Sequence, residues 1–182
     1  MNLHFLRLAI FGFLWLGLAG CSRRTPPPAA PANLITRNDF EAVQGWLPAS
    51  PSLTTDQAHS GRFSLQVNPA IEYSMGYVMP LQAIGLQPGE RIRISGWGRR
   101  SSFQCKAVVI VQIIDPDKGT TPILWQAIGL HTHIKTLNYW TSFSETVKLP
   151  AEAGPQARLQ VYLWRTAPLD TIYLDDLEIS RI

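Results

Sequence analysis

Apolar and polar residues alternate with a period of two through much of the chain. In ARLQVYLW, Ala157–Trp164, the aliphatic Leu159, Val161 and Leu163 fall on one side and Gln160, Tyr162 and Trp164 on the other. That period belongs to a strand with one face in a core. RIRISGWGR, Arg91–Arg99, behaves likewise: Ile92 and Ile94 share one face, and Arg91, Arg93, Ser95 and Trp97 the other. Six further runs rich in β-branched and aromatic residues read as strands, at 62–67, 73–81, 105–114, 123–128, 140–149 and 171–180. Turn chemistry separates them, in QPGE (87–90), DPDKG (115–119) and AEAGP (151–155). From Asn33 onward no helical period exceeds a turn, and no repeat of fixed length occurs. Eight or more strands over about 150 residues predict an all-β fold, a two-sheet antiparallel β-sandwich of the jelly-roll kind.

The last run, TIYLDDLEIS (Thr171–Ser180), carries a conflict. Strict alternation places Asp175 with Leu177 and Ile179, and Leu174 with Asp176 and Glu178. If Leu177 and Ile179 fill a core, Asp175 points inward with them. A buried, unpaired carboxylate costs several kcal/mol, so Asp175 needs a partner.

Composition adds the class. Hydrophobic residues make up 46% of the 182 and charged residues 16%, as in a globular protein with room for one ordinary domain. Part of the formal charge of +3 comes from Arg7, Arg23 and Arg24, and no lysine–arginine stripe is present to track phosphates. Nucleic acid is therefore excluded as a partner.

The N-terminus reads as an address. MNLHFLR precedes LAIFGFLWLGLA, an apolar run of about a dozen residues where a membrane span needs roughly 17–25. It suits a secretory signal. The run ends in LAGC, Leu18–Cys21, which resembles the lipobox of bacterial lipoproteins. The resemblance implies cleavage before Cys21, a diacylglyceryl group on its sulfur and an acylated amine, which suffice for stable anchoring. An ordinary signal peptide that happens to contain a cysteine is the alternative. Ser22, rather than Asp, follows the cysteine, which in Gram-negative lipoproteins favours transport to the outer membrane. SRRTPPPAAPAN (Ser22–Asn33) reads as an extended, semi-stiff spacer. The expected division is a signal peptide at 1–20, a lipidated cysteine and linker at 21–33, and a β-sandwich domain at 34–182. Cys105, the second of two cysteines, then has no disulfide partner and reads as a small buried hydrophobe.

Several pieces fall in a recognisable order: NDFEAVQGW (Asn38–Trp46), AHSGRFSLQV (Ala58–Val67), LQPGERIRISGWGR, YWTSFSETVKLP and the closing IYLDDLEI (Ile172–Ile179). Together they resemble the carbohydrate-binding modules attached to cellulases and xylanases, a branch of the galactose-binding-like jelly rolls. The resemblance spans nearly all of 33–182 and implies a structural calcium joining the two ends of the domain. It carries this site to Glu41 and Asp175, with backbone carbonyls around His59 and Arg62. Calcium takes six to eight oxygen ligands and would neutralise an inward Asp175. Pairing of Asp175 with an arginine or with backbone N–H groups is the alternative.

The resemblance also implies sugar binding, in which aromatic rings stack on the C–H faces of pyranoses while Arg and Gln bond the hydroxyls. Binding residues vary within that family and are not carried over. The candidates come from alternation alone, as the polar-aromatic faces of two strands: Arg93, Trp97, Gln160, Tyr162 and Trp164, with Trp125 as a secondary addition.

Catalytic chemistry does not assemble. Asp175 and Asp176 are adjacent and cannot flank a glycosidic bond together. Neither a Gly-x-Ser-x-Gly elbow nor a phosphate-binding glycine loop occurs. HTH, His131–His133, puts two imidazoles on one face if extended but signals no third zinc ligand. DPDKG lacks the later bidentate Glu of a calcium loop and reads as a tight hairpin turn. The expectation is a non-catalytic lipoprotein of the bacterial cell envelope, lipid-anchored at the outer membrane. Its partners would be the membrane and a polysaccharide or peptidoglycan glycan. A structural or adaptor lipoprotein that binds a protein partner is the second reading, and a small glycan-active enzyme the third.

Overall fold

The apolar runs and their Gly, Pro and Asp punctuation fold as ten strands in the computed structural model, which describes residues 31–45, 48–167 and 170–182. The expected signal segment, the lipidation at Cys21, most of the linker and Trp46 lie outside the described residues. In chain order the strands are β1 (Leu34–Asn38), β2 (Leu53–Thr54), β3 (Ser64–Val67), β4 (Tyr73–Pro80) and β5 (Arg91–Arg100). Then follow β6 (Ala107–Ile114), β7 (Leu124–Gly129), β8 (Thr141–Lys148), β9 (Arg158–Arg165) and β10 (Ile172–Arg181). Each of the eight expected strands is present to within two residues. β1 and β2 are additional.

The strands form two antiparallel sheets, the expected sandwich. The larger runs β2-β3-β10-β5-β8, with β1 also paired to β10; the smaller runs β4-β9-β6-β7. Their inner faces meet in one core. Ile92 and Ile94 of β5 face Val109, Val111 and Ile113 of β6 and Leu159, Val161 and Leu163 of β9, all fully buried. Burial of each such side chain contributes roughly 1.5–3 kcal/mol, which explains why strands with one aliphatic face order into two layers. Cys105 lies in this core, its thiol 3.5 Å from the Thr171 carbonyl oxygen. Every strand finds its partners within Pro31–Ile182, a compact unit with its own core, so that stretch contains what it needs to fold alone.

β10 corrects the strict alternation. Its register on β5 pairs Asp175 with Trp97 and Glu178 with Ser95, so Asp176 and Leu177 together oppose Gly96. This is a β-bulge, and Asp176 occupies the left-handed region with φ 47°. The extra residue shifts the phase. Ile172 and Leu174 point into the core before it, and Leu177 and Ile179 after it. Asp175 is thus on the Tyr173 and Trp97 face, away from Leu177 and Ile179, and is nonetheless fully buried. What buries it is the loop at 57–61, laid over the outside of the sheet.

The other motifs fall in connections. DPDKG links β6 to β7 through a short 3₁₀ turn, with Asp115 Oδ1 accepting the Asp117 N–H. The two histidines of HTH are not extended: Leu130–His133 forms one helical turn, and His133 Nε2 meets Glu145 Oε1 at 3.3 Å.

Candidate functional site

The register of the smaller sheet assembles one outer face. On β9, Gln160, Tyr162 and Trp164 point away from the buried Leu159, Val161 and Leu163. Trp164 lies opposite Val108 of β6 and Tyr73 of β4. Tyr162 lies opposite Ile110 and Gly76, and Gln160 opposite Gln112 and Val78. Trp125 of β7 lies opposite Gln112 and joins the same face. Direct cross-strand partners share a face, so the three β9 candidates and Trp125 stand together with Tyr73 and Gln112.

The aromatic side chains contact one another. The Tyr73 and Trp164 rings lie 6.1 Å apart and 10° from parallel. Tyr162 meets Tyr73 edge-on at 6.1 Å, and Trp125 meets Trp164 edge-on at 6.2 Å. Tyr73 and Trp125 are each 51% exposed, so the cluster opens to solvent. Polar groups fix its edges: Trp164 Nε1 donates to Glu72 Oε1 at 3.2 Å, and Gln112 Nε2 donates to Gln160 Oε1 at 2.7 Å. The Glu72 carboxylate beside the phenol pushes the Tyr73 pKa up, and burial does the same for Tyr162. Both phenols are neutral at ordinary pH and can donate and accept.

Tyr73 was hidden by a second bulge. Between Tyr73 and Gly76 the β4 register slips by one residue relative to β9. Ser74 Oγ accepts the Leu163 N–H at 3.0 Å and pins the slip. Gly76 is required there, since a Cβ would sit 2.8 Å from the Val161 carbonyl oxygen and 2.9 Å from the Tyr162 Cβ.

Arg93 and Trp97 do not join this face. They project from β5 on the outer side of the larger sheet, where Arg93 lies opposite Thr146 and Trp97 opposite Ser142. His59 stacks on Trp97 at 3.9 Å and 14°, and Trp140 meets His59 edge-on at 5.8 Å. The five candidates therefore divide into two groups on opposite sides of the sandwich.

Glu41, His59, Arg62 and Asp175, the group tied by the resemblance to calcium, do come together, but through N–H groups. Glu41 Oε1 accepts the N–H of Arg62 at 2.7 Å and of Phe63 at 2.6 Å. Asp175 Oδ2 accepts the N–H of His59 at 2.7 Å and of Ser60 at 3.1 Å, and its Oδ1 accepts the Asp176 N–H at 2.7 Å. Gly61, at φ +58°, brings the loop so close that a Cβ would lie 2.3 Å from Glu41 Cδ. Three of the four carboxylate oxygens are surrounded by the positive ends of backbone dipoles. These bonds satisfy the buried carboxylate without a cation, so the backbone N–H alternative describes Asp175.

Asp176 completes the clasp. Its Oδ2 lies 2.6 Å from His59 Nδ1, and its Oδ1 accepts from Ser60 Oγ at 2.9 Å and Arg37 Nη2 at 3.4 Å. Burial opposes ionisation of Asp176, but the hydrogen bonds from His59, Ser60 and Arg37 outweigh it and hold the carboxyl below its usual range. Burial pushes the Asp175 carboxyl up, against the pull of its three backbone N–H groups.

No protein-family model matches the chain, and no curated protein matches it. Solved structures do. The CBM22-1 xylan-binding domain of Paenibacillus barcinonensis Xyn10C aligns with TM-score 0.55 and 19% identity over 85% of this chain and 98% of its own. The CBM22-2 xylan-binding domain of the same protein gives TM-score 0.56 and 15% identity over 81% and 99%. The C-terminal family 22 carbohydrate-binding module of Clostridium thermocellum Xyn10B gives 0.55 and 16% over 82% and 93%. At these identities the likeness is one of fold: the chain has the β-sandwich of carbohydrate-binding modules.

Proposed function

We propose that this domain binds a polysaccharide chain, without catalysis, through the outer face of its smaller sheet. One observation carries the reading: Tyr73, Tyr162, Trp164 and Trp125 form a contiguous aromatic cluster, half-exposed at Tyr73 and Trp125, beside the Gln112–Gln160 amide pair. Aromatic rings offer flat apolar surface for the C–H faces of sugar rings, and the amides and phenols offer donors and acceptors for hydroxyls. A soluble protein has no structural need to leave so many aromatic rings in water on one sheet face. The fold shared with xylan-binding modules supports the reading and makes xylan the first ligand to test. Glycoside hydrolysis requires two carboxylates flanking the bond, whereas Glu72, which borders this face, is held by Trp164.

The address belongs to the same proposal. Lipidation at Cys21 would tether the domain to the bacterial envelope, at the outer membrane, through the Pro/Ala-rich spacer. The test is affinity electrophoresis and calorimetry of residues 31–182 on xylan, β-glucan and peptidoglycan fragments. Retention that is lost in Trp164→Ala supports the reading. Failure of every glycan to bind at millimolar concentration overturns it.

A further inference from the structure

We propose that the outer face of the larger sheet carries a second saccharide site, separate from the aromatic face. A cleft of about 520 Å³ opens there, lined by Arg37, Ser95, Trp97, Ser142, Ser144 and Glu178 among others. Four of these side chains form one transverse row. Arg37 of β1 is paired with Glu178 of β10, Glu178 with Ser95 of β5, and Ser95 with Ser144 of β8. At about 4.8 Å per strand the row spans roughly 14 Å, the length of two to three sugar rings. The next row holds Trp97 opposite Ser142. His59, stacked flat on Trp97 at 3.9 Å, fixes the orientation of the indole.

The chemistry of the row selects the ligand. Serine hydroxyls donate and accept, Glu178 accepts, and Arg37 donates while also holding Asp176. Ser95, Ser142, Ser144 and Glu178 take part in none of the side-chain hydrogen bonds among the described residues. Asp176 and His133 also line the cleft but are engaged, Asp176 by Arg37, His59 and Ser60 and His133 by Glu145. The row's hydroxyls, with one carboxylate free among the described residues and one guanidinium, therefore suit a neutral, hydroxyl-rich molecule better than an anion or an apolar one. The Trp97 indole, in the next row beside Ser95, adds an apolar contact. The Asp176 bulge is what allows this arrangement, because it returns Glu178 to the outer face in register with Ser95.

This site goes beyond the aromatic face and does not depend on it. The two faces look in opposite directions from a sandwich whose sheets are about 10 Å apart. A short saccharide therefore reaches only one of them, and a molecule with both sites joins two separate chains.

The experiment is residue-resolved NMR titration of residues 31–182 with xylohexaose, cellohexaose and chitohexaose, in wild type and in Trp164→Ala. The proposal expects amide shifts at Ser95, Ser144 and Glu178 that persist in Trp164→Ala. It also expects Ser144→Ala or Glu178→Gln to weaken those shifts about fivefold or more while shifts at Gln112 and Tyr162 stay. Ser144 is an exposed residue of an edge strand, so its truncation leaves folding unchanged. Shifts confined to the aromatic face, or shifts at Ser95 and Ser144 that vanish with Trp164→Ala, overturn the second site and leave the first standing. Shifts only around Ser95 and Glu178 would overturn the first and leave the second. An absence of shifts with all three hexasaccharides overturns both.

Discussion

Tyr73 and Trp164 stand on neighbouring strands with their rings 10° from parallel and 6.1 Å apart. Both rings present to solvent what a pyranose needs on its apolar face. Truncating either should weaken xylohexaose binding about tenfold, since an aromatic contact of this kind contributes about 0.5–1.5 kcal/mol beyond its area. Calorimetry on Tyr73→Ala and Trp164→Ala reads this directly. The melting temperature should change little for Tyr73, which is half exposed. Unchanged affinity in both variants would remove the aromatic cluster from the site.

Asp175→Ala should be the more damaging change to the fold. It leaves the N–H groups of His59, Ser60 and Asp176 without an acceptor beneath a loop that excludes water. A loss of about 3 kcal/mol or more is expected, or a fall in melting temperature of roughly 6–12 °C. Gly61→Ala should act through the same clasp, because its Cβ would collide with the Glu41 carboxylate. Urea unfolding of the two variants checks both.

Chelation should leave the melting temperature of residues 31–182 unchanged. The carboxylates of Glu41 and Asp175 already accept five backbone N–H groups, which hold the loop without a cation. A drop on adding EDTA that calcium reverses would overturn this account of the clasp.

Asp176 and Asp175 should act on stability with opposite signs of pH dependence. The Asp176 carboxyl is held low in the fold, so its stabilisation is present above the unfolded carboxylate value, about 3.9, and is lost as pH falls through the depressed folded value. The Asp175 carboxyl is pushed up, so its contribution is complete below the unfolded value and is lost as pH rises through the raised folded one. Asp176→Asn should therefore flatten the loss of stability on acidification, and Asp175→Asn should steepen it. Denaturation midpoints between about pH 3 and pH 7 measure both slopes.

The strands were legible because a period of two with one aliphatic side is hard to satisfy any other way, as in Leu159, Val161 and Leu163. β1 escaped notice because LITRN is short and half polar. The face of Asp175 was misread because the bulge falls on Asp176, with no glycine or proline to mark it. Tyr73 was missed for the same reason, through the slip before Gly76. Alternation also tells which residues of one strand share a side but not which strands share a sheet. That is why Trp97 and Trp164, read as one surface, lie on opposite sides of the protein. The clasp around His59 needs contacts across more than a hundred residues, which no local pattern encodes.

β10 lies in the interior of the larger sheet, with β5 on one flank and β1 and β3 on the other. Asn33 already bonds Arg181, 148 residues along the chain. Until residues 172–181 are in place, β3 and β5 border an empty slot, and the first strand has nothing to pair with. The sheet cannot be built progressively from the N-terminus. Its central member is the last of the ten strands in chain order, so ordering of the larger sheet waits on residues 172–181, and a ribosome-bound fragment that lacks this strand stays open.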